Sequence, residues 1–262
     1  MAIVTVPTIV SDPRRLIALE AAHNVRDLGG YVLGDGRAIA WGRLLRGDGL
    51  HHLTAADLAA LAPLGLRTVI DLRTPEEVDE RGAFPIDRMP LELVHQPVID
   101  TTWSRDDVPR FAGADHPEVE FLAFAYDIML AEGGTRFGAA IRRLAMPGAL
   151  PAIFHCAAGK DRTGIMAALL LAGLGVADDV VVADYGLTAA GIERMKAWLG
   201  RHHPERAEVL AETPTAFLAA HPDAMQRTLD RLRDEHGSVG RYLDHIGVDA
   251  TTLATLADAL TV

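Results

Sequence analysis

One stretch of this 262-residue chain concentrates residues able to do chemistry: Phe154-His-Cys-Ala-Ala-Gly-Lys-Asp-Arg-Thr-Gly164. It holds the only cysteine, Cys156, six positions before Arg162. A thiolate can attack phosphorus, and a guanidinium can fork onto two phosphate oxygens. The spacing alone is weak; its surroundings make it specific. Ala152-Ile-Phe154 reads as a short strand feeding the cysteine into a turn. Gly159 relaxes that turn, and a helix is expected directly after Arg162. The backbone N–H groups of Ala157, Ala158, Gly159 and Lys160 would then form an anion-binding nest. The helix N-terminus adds its positive end at the same point. Such a field favours the thiolate, the nucleophilic form of cysteine. Thr163 is placed to offer its hydroxyl to that sulfur, and His155 to brace the loop. The expected chemistry is phosphoryl transfer through a phosphocysteine.

The departing alkoxide or phenoxide needs a proton donor. Asp71 ends a predicted buried strand at residues 66–72 (LRTVIDL), at the sheet edge where α/β sites gather. Asp161 lies inside the loop itself. Both stay open, with Asp71 ahead, because a helix N-terminus favours the ionised form of a carboxylate. Lys160 is either a second cation for a polyphosphorylated inositol ring or an ordinary solvated lysine. The remaining histidines are scattered, with His51-His52 and His202-His203 as adjacent pairs. Neighbours in sequence point to different sides of an element. No metal site and no cofactor is therefore expected, and the thiolate chemistry requires neither.

The elements that must position these residues follow from pattern. Thr54-Ala-Ala-Asp57 and Thr74-Pro-Glu-Glu77 look like capped helix starts. Short strands are expected near residues 37–41, 68–70 and 91–94. Helical periodicity covers 118–131 and 135–144, and an apolar helix runs from about Thr163. The last third is mostly helical, cut by Pro204, Pro214, Pro222 and Gly237. Alternating helices and short strands predict an α/β fold with a mainly parallel central sheet flanked by helices. No boundary within 1–262 marks a second domain. Residues 101–117 and 189–236 are candidate substrate-covering lids.

Composition narrows the partners. Lys and Arg total 25 against 36 for Asp and Glu, a net charge of −11. That balance argues against nucleic-acid binding, which needs a basic surface. One cysteine excludes an intramolecular disulfide. The longest apolar stretch, residues 164–176, is too short for a bilayer span. The first residues lack a basic start before their apolar run, so no secretory signal is read there. A cytoplasmic location is the expectation, with leaderless export left open, and the oligomeric state is not legible.

The segment His155-Cys156-Ala-Ala-Gly159-Lys160-Asp161-Arg162-Thr163-Gly164 resembles the signature loop of cysteine-dependent phosphatases. Its Lys-Asp-Arg form is most similar to bacterial tyrosine phosphatases acting on phosphotyrosine and phosphoinositides. Asn24-Val-Arg-Asp-Leu-Gly-Gly30 resembles that family's N-terminal motif. Val69-Ile-Asp-Leu-Arg73 with Glu76-Glu77 resembles its Asp-Leu-Arg-x-x-x-Glu element. Arg46-Gly47-Asp48 departs from the Arg-Ser expected there. The resemblance implies a protein-tyrosine-phosphatase-like fold and a phosphorylated protein or phosphoinositide as substrate. It also implies a catalytic role for Asp71. Arg26 and Asp27 are read as structural turn residues, and Asp184-Tyr185 as a brace. Two other readings use the same loop: a catalytically silent phosphate-binding module, and a rhodanese- or reductase-like sulfur enzyme. The intact Cys156 argues against the first, and the missing resolving cysteine against the second.

Overall fold

The computed structural model describes residues 8–100, 116–213 and 215–261. Five short strands build one sheet: β1 (Arg26–Asp27), β2 (Leu44–Gly47), β3 (Thr68–Asp71), β4 (Glu92–His95) and β5 (Ala152–His155). Their order is β1-β2-β5-β3-β4, with β5 in the middle. Every pairing is parallel except β1 with β2. Parallel neighbours place their C-terminal ends together, and the register aligns Gly47, His155 and Asp71 across one edge. Whatever follows β2, β3 and β5 must meet there.

Around the sheet lie eleven helices among the described residues: α1 (Ala55–Leu61), α2 (Pro75–Arg81), α3 (Pro117–Leu144), α4 (Asp161–Gly173), α5 (Asp178–Gly186), α6 (Thr188–His202), α7 (Pro204–Ala211), α8 (Thr215–Leu218), α9 (Pro222–His236), α10 (Val239–His245) and α11 (Ala250–Leu260). Side chains alternate across a strand. Leu44, Ile70, Ala152 and Phe154 accordingly join a large cluster with residues of α3, α4, α9, α10 and α11. Leu45, Val69 and Ile153 face a smaller cluster with Leu58 and Leu61 of α1. Both faces of the parallel sheet are covered, and every residue of β2, β3 and β5 is buried.

The capped starts form as read. Thr54 with Asp57, and Thr74 with Glu77, each close a reciprocal capping box. Helix α4 is apolar all round, and residues 162–171 are all buried, as a helix inside a core requires.

Two expectations differ. The segments 118–131 and 135–144 are one continuous helix, α3. Gly133 and Gly134 sit inside it because neighbours press close. A Cβ on Gly133 would lie 2.3 Å from the Val98 carbonyl oxygen, and one on Gly134 would lie 2.7 Å from the Tyr242 hydroxyl. The strand expected at 37–41 is only an isolated bridge between Val32 and Ala38.

Candidate active site

The turn from β5 into α4, residues 156–160, crosses the aligned sheet edge. Its carbonyls are tied down from behind. Gly49 N–H donates to the Ala157 oxygen at 3.0 Å. The Asn24 amide donates to the Ala158 and Gly159 oxygens, both at 3.1 Å. Arg46 adds a bond to the Gly159 oxygen at 3.0 Å. In a trans peptide the N–H points opposite to its C=O. Fixing these carbonyls on the scaffold side turns the N–H groups of Ala158, Gly159 and Lys160 the other way. The first N–H groups of α4 add to them, since a helix cannot satisfy its own first turn. This is a nest for an anion beside Cys156.

Gly159 is required where it stands. Its φ of +65° lies in the left-handed region, and a Cβ would come within 2.7 Å of the Gly47 carbonyl oxygen. At the departure Arg46-Gly47-Asp48, a Cβ on residue 47 would stand 3.2 Å from the Val25 side chain and 3.5 Å from that of Ile153. Gly47 abuts Gly159, while buried Asp48 accepts backbone N–H bonds from His23 (2.8 Å) and Asn24 (3.0 Å). Burial raises the Asp48 pKa to about 6. Arg46 is held by Asp184 at 2.7 Å, and Arg26 reaches the same carboxylate at 3.2 Å. Tyr31 donates to it at 3.0 Å. Burial opposes the charge of Asp184, but Arg26 and Arg46 overcome it and lower its pKa to about 2. The N-terminal motif thus works as a floor beneath the loop. Asp27 serves in the same way, accepting from Gly29 and Gly42 N–H at 2.8 and 2.6 Å.

Arg162 points back across the loop and is bound at both terminal nitrogens by Glu77, Nη2 to Oε1 at 2.9 Å and Nη1 to Oε2. Glu77 was not singled out as a site residue. Its signal was its place in the Asp-Leu-Arg-x-x-x-Glu element, since it serves both as the cap of α2 and as the rest for Arg162. Burial works against the guanidinium charge, but Glu77, Cys156 and Asp161 hold its pKa above the ordinary arginine value. The Nε–H and the outer N–H groups stay available for a ligand. The Thr163 hydroxyl stands 3.5 Å from the Gly47 oxygen, at the end of β2.

The two candidate proton donors separate clearly. Asp71 holds Arg73 with both oxygens, at 2.9 Å to Nε and 2.5 Å to Nη2. Its side chain is 2% exposed. Burial opposes its charge, yet His155 and Arg73 keep its pKa below the usual carboxylate value. Both oxygens of Asp71 are thus committed to Arg73, an arrangement that braces the turn after β3. His155 is itself fully buried, and burial lowers its pKa despite Asp71 nearby. Asp161 is 29% exposed, at the mouth of the loop. Its Oδ1 accepts from Tyr126 at 2.7 Å and lies 3.1 Å from Lys160 Nζ. Oδ2 has no hydrogen-bond partner among the described residues.

Lys160 is not a solvated lysine. It is 2% exposed, and its ammonium donates to the Ala219 carbonyl at 3.0 Å. That contact brings the 189–236 stretch against the loop. Of the other candidate cover, residues 101–115 lie outside the described residues. The described histidines, cysteine and carboxylates form no group of three able to hold a metal. No helix among the described residues is long and apolar enough to cross a membrane.

Comparison with known proteins gives the family. Residues 17–262 match the family model described as the tyrosine phosphatase family. A Cupriavidus necator protein assigned to the tyrosine-protein phosphatases is 34% identical over 252 residues, covering 92% of this chain and 87% of that one. The triple specificity protein phosphatase PtpB of Mycobacterium tuberculosis is 28% identical over 276 residues, covering 92% of this chain and 98% of PtpB. A tyrosine-protein phosphatase of Nostoc commune shares 32% over 164 residues, 60% of this chain and 51% of its own. The chain belongs to the tyrosine phosphatase family and is a phosphatase of that class.

Proposed function

We propose that the chain hydrolyses phosphomonoesters, phosphotyrosine in proteins foremost, through a phosphocysteine at Cys156. The observation that carries this reading is the loop geometry: carbonyls pinned behind, N–H groups turned toward Cys156, and Arg162 held ready by Glu77. The nest, the helix end and Arg162 gather the three non-bridging phosphate oxygens. Cys156 sulfur then attacks phosphorus from the side opposite the ester oxygen. As the S–P bond forms and the P–O bond breaks, Asp161 gives its Oδ2 proton to the departing oxygen. In the second step a water attacks the phosphocysteine, and Asp161 takes a proton from it. The S–P bond breaks, releasing inorganic phosphate and restoring the thiolate.

The substrate range follows from the same residues. A flat aryl ester fits a site whose one proton donor stands at the mouth. The relative named a triple specificity phosphatase supports extending the range to phosphoserine, phosphothreonine and phosphoinositides. Turnover of a polyphosphorylated inositol ring would require Lys160 to leave Ala219, so phosphotyrosine ranks first.

Metal-independent hydrolysis of p-nitrophenyl phosphate tests the proposal. Wild type should turn over and be inhibited by vanadate. Cys156→Ser should bind vanadate yet lose turnover by at least about a thousandfold. Unchanged hydrolysis by Cys156→Ser would overturn it, and absence of hydrolysis in wild type would return the silent-module reading.

A further inference from the structure

We propose that Tyr126, backed by Tyr185, is a positioning residue that fixes the Asp161 carboxyl with its transferable proton on Oδ2. The inference rests on Asp161 as the proton donor and adds what aims it. Tyr126 comes from the middle of α3 and Tyr185 from α5, far from the loop in sequence. Both are buried, at 0% and 1% exposure. The Tyr126 hydroxyl lies 2.7 Å from Asp161 Oδ1 and 2.6 Å from the Tyr185 hydroxyl. The rings meet edge to face, with centroids 6.2 Å apart, which holds the two hydroxyl oxygens in place beside Asp161.

The hydrogen count sets the direction of the chain. A phenol has one hydrogen to donate. Tyr126 gives its hydrogen to Asp161, so Tyr185 must give its own to Tyr126. Burial, with Asp161 near both rings, pushes each phenol well above its ordinary range, so both stay protonated donors. Lys160 Nζ stands 3.1 Å from the same Oδ1, so that oxygen faces both a donor hydroxyl and a positive charge, each of which disfavours a proton on it. A proton on Asp161 must then sit on Oδ2, the oxygen that no described residue binds. When Oδ2–H breaks and the proton passes to the leaving oxygen, the electron pair stays on Oδ2. That atom later accepts the proton of the attacking water. The Tyr126 and Tyr185 hydroxyls keep their hydrogens throughout and serve as a fixed backstop.

The sequence carried half of this. Asp184-Tyr185 is read there as a brace, whereas Tyr126 stands within an amphipathic helix where an aromatic is ordinarily core. Gly164 adds a steric reason for the arrangement: a Cβ there would stand 2.9 Å from the Tyr185 ring. The glycine lets Tyr185 lie against the first turn of α4, level with Asp161.

The test compares steady-state hydrolysis of phenyl phosphate, a poor leaving group that needs the acid, with p-nitrophenyl phosphate, a good one that needs it less. Tyr126→Phe keeps the ring and removes the hydroxyl. Its kcat on phenyl phosphate should fall about tenfold and on p-nitrophenyl phosphate less than about threefold, with KM unchanged on both. Tyr185→Phe should repeat the pattern at smaller size, and it serves if Tyr126→Phe fails to fold by circular dichroism. Asp161→Asn supplies the reference, with the same bias toward the poor leaving group and larger losses. If Asp161→Asn is biased but the tyrosine variants lose equally on both substrates, or lose nothing, the positioning role is overturned. If Asp161→Asn shows no bias, the acid assignment falls first and this role falls with it.

Discussion

The end of β3 and the first turn of α4 lie at the same edge of the sheet, and each presents an aspartate. At β3 the carboxylate is sealed from solvent and doubly bonded to Arg73. At α4 it is partly exposed, with one oxygen committed to Tyr126 and the other without a described partner. The electrostatics of the two places differ accordingly. A buried carboxylate saturated by a guanidinium holds its charge, whereas the carboxyl at the mouth of the loop keeps one oxygen within reach of a leaving group, which is the ground for proposing it as the acid. In the proposed mechanism, proximity to the sheet edge does not select the acid; the number of committed oxygen atoms does. The same distinction runs through the whole site. Arg46, Asp184, Asn24 and Asp48 form a floor of buried polar groups bound to one another or to backbone, while Arg162 Nε and Asp161 Oδ2 have no partner among the described residues.

The contrast breaks most readily at the two aspartates. Asp161→Asn should lower kcat on phenyl phosphate by about a hundredfold or more, the usual contribution of a general acid, while Tm stays near wild type. Asp71→Asn should do the reverse. It leaves the Arg73 charge buried and half-paired, which costs about 3 kcal/mol. For a chain of this size that lowers Tm by about 10 °C, with kcat of the folded fraction within about tenfold of wild type. Kinetics and calorimetry on both variants check the pair; a large kcat loss confined to Asp71→Asn would invert the assignment.

A smaller effect lies within the floor. Asp184, folded pKa about 2 against an ordinary 3.8, lends stability that is present above about pH 4 and lost as pH falls toward 2. Its size is on the order of 2 kcal/mol. Asp48, folded pKa about 6, has the opposite sign: its charge costs the fold progressively from about pH 4 to pH 6. Carbon-13 NMR of the carboxyl groups should show Asp48 taking up its proton near pH 6, while Asp184 stays ionised as long as the protein is folded. Titration of both near pH 4 would show that Arg26 and Arg46 do not distinguish them.

Much of this was legible in the residues. The signature loop is contiguous, so Cys156, Gly159 and Arg162 could be placed from spacing and turn chemistry. The α/β class followed from the alternation of short β-branched runs with apolar-periodic helices. What could not be read depended on contacts between distant segments. Glu77 meets Arg162 across 85 positions, and Asn24 reaches the loop across 134. Tyr126 looks like one more core aromatic until α3 is packed beside α4. Asp71 was favoured because a helix N-terminus suits a charged aspartate; the stronger hold of Arg73, two residues along, outweighed that one-dimensional argument. The periodicity over 118–131 and 135–144 does not show that α3 runs on through Gly133-Gly134, because the pattern does not reveal which neighbours need the room.

The central claim, that phosphate passes through Cys156, is tested most directly by trapping the intermediate. The enzyme is mixed with excess p-nitrophenyl phosphate, quenched in acid within the first turnover, digested and read by mass spectrometry. A phosphoryl group should appear on the peptide carrying Cys156 and be absent from Cys156→Ser. Its population should rise with Asp161→Asn, where the second step loses its base. A wild-type burst of p-nitrophenol with the label on another residue, or with no labelled peptide at all, would contradict the account.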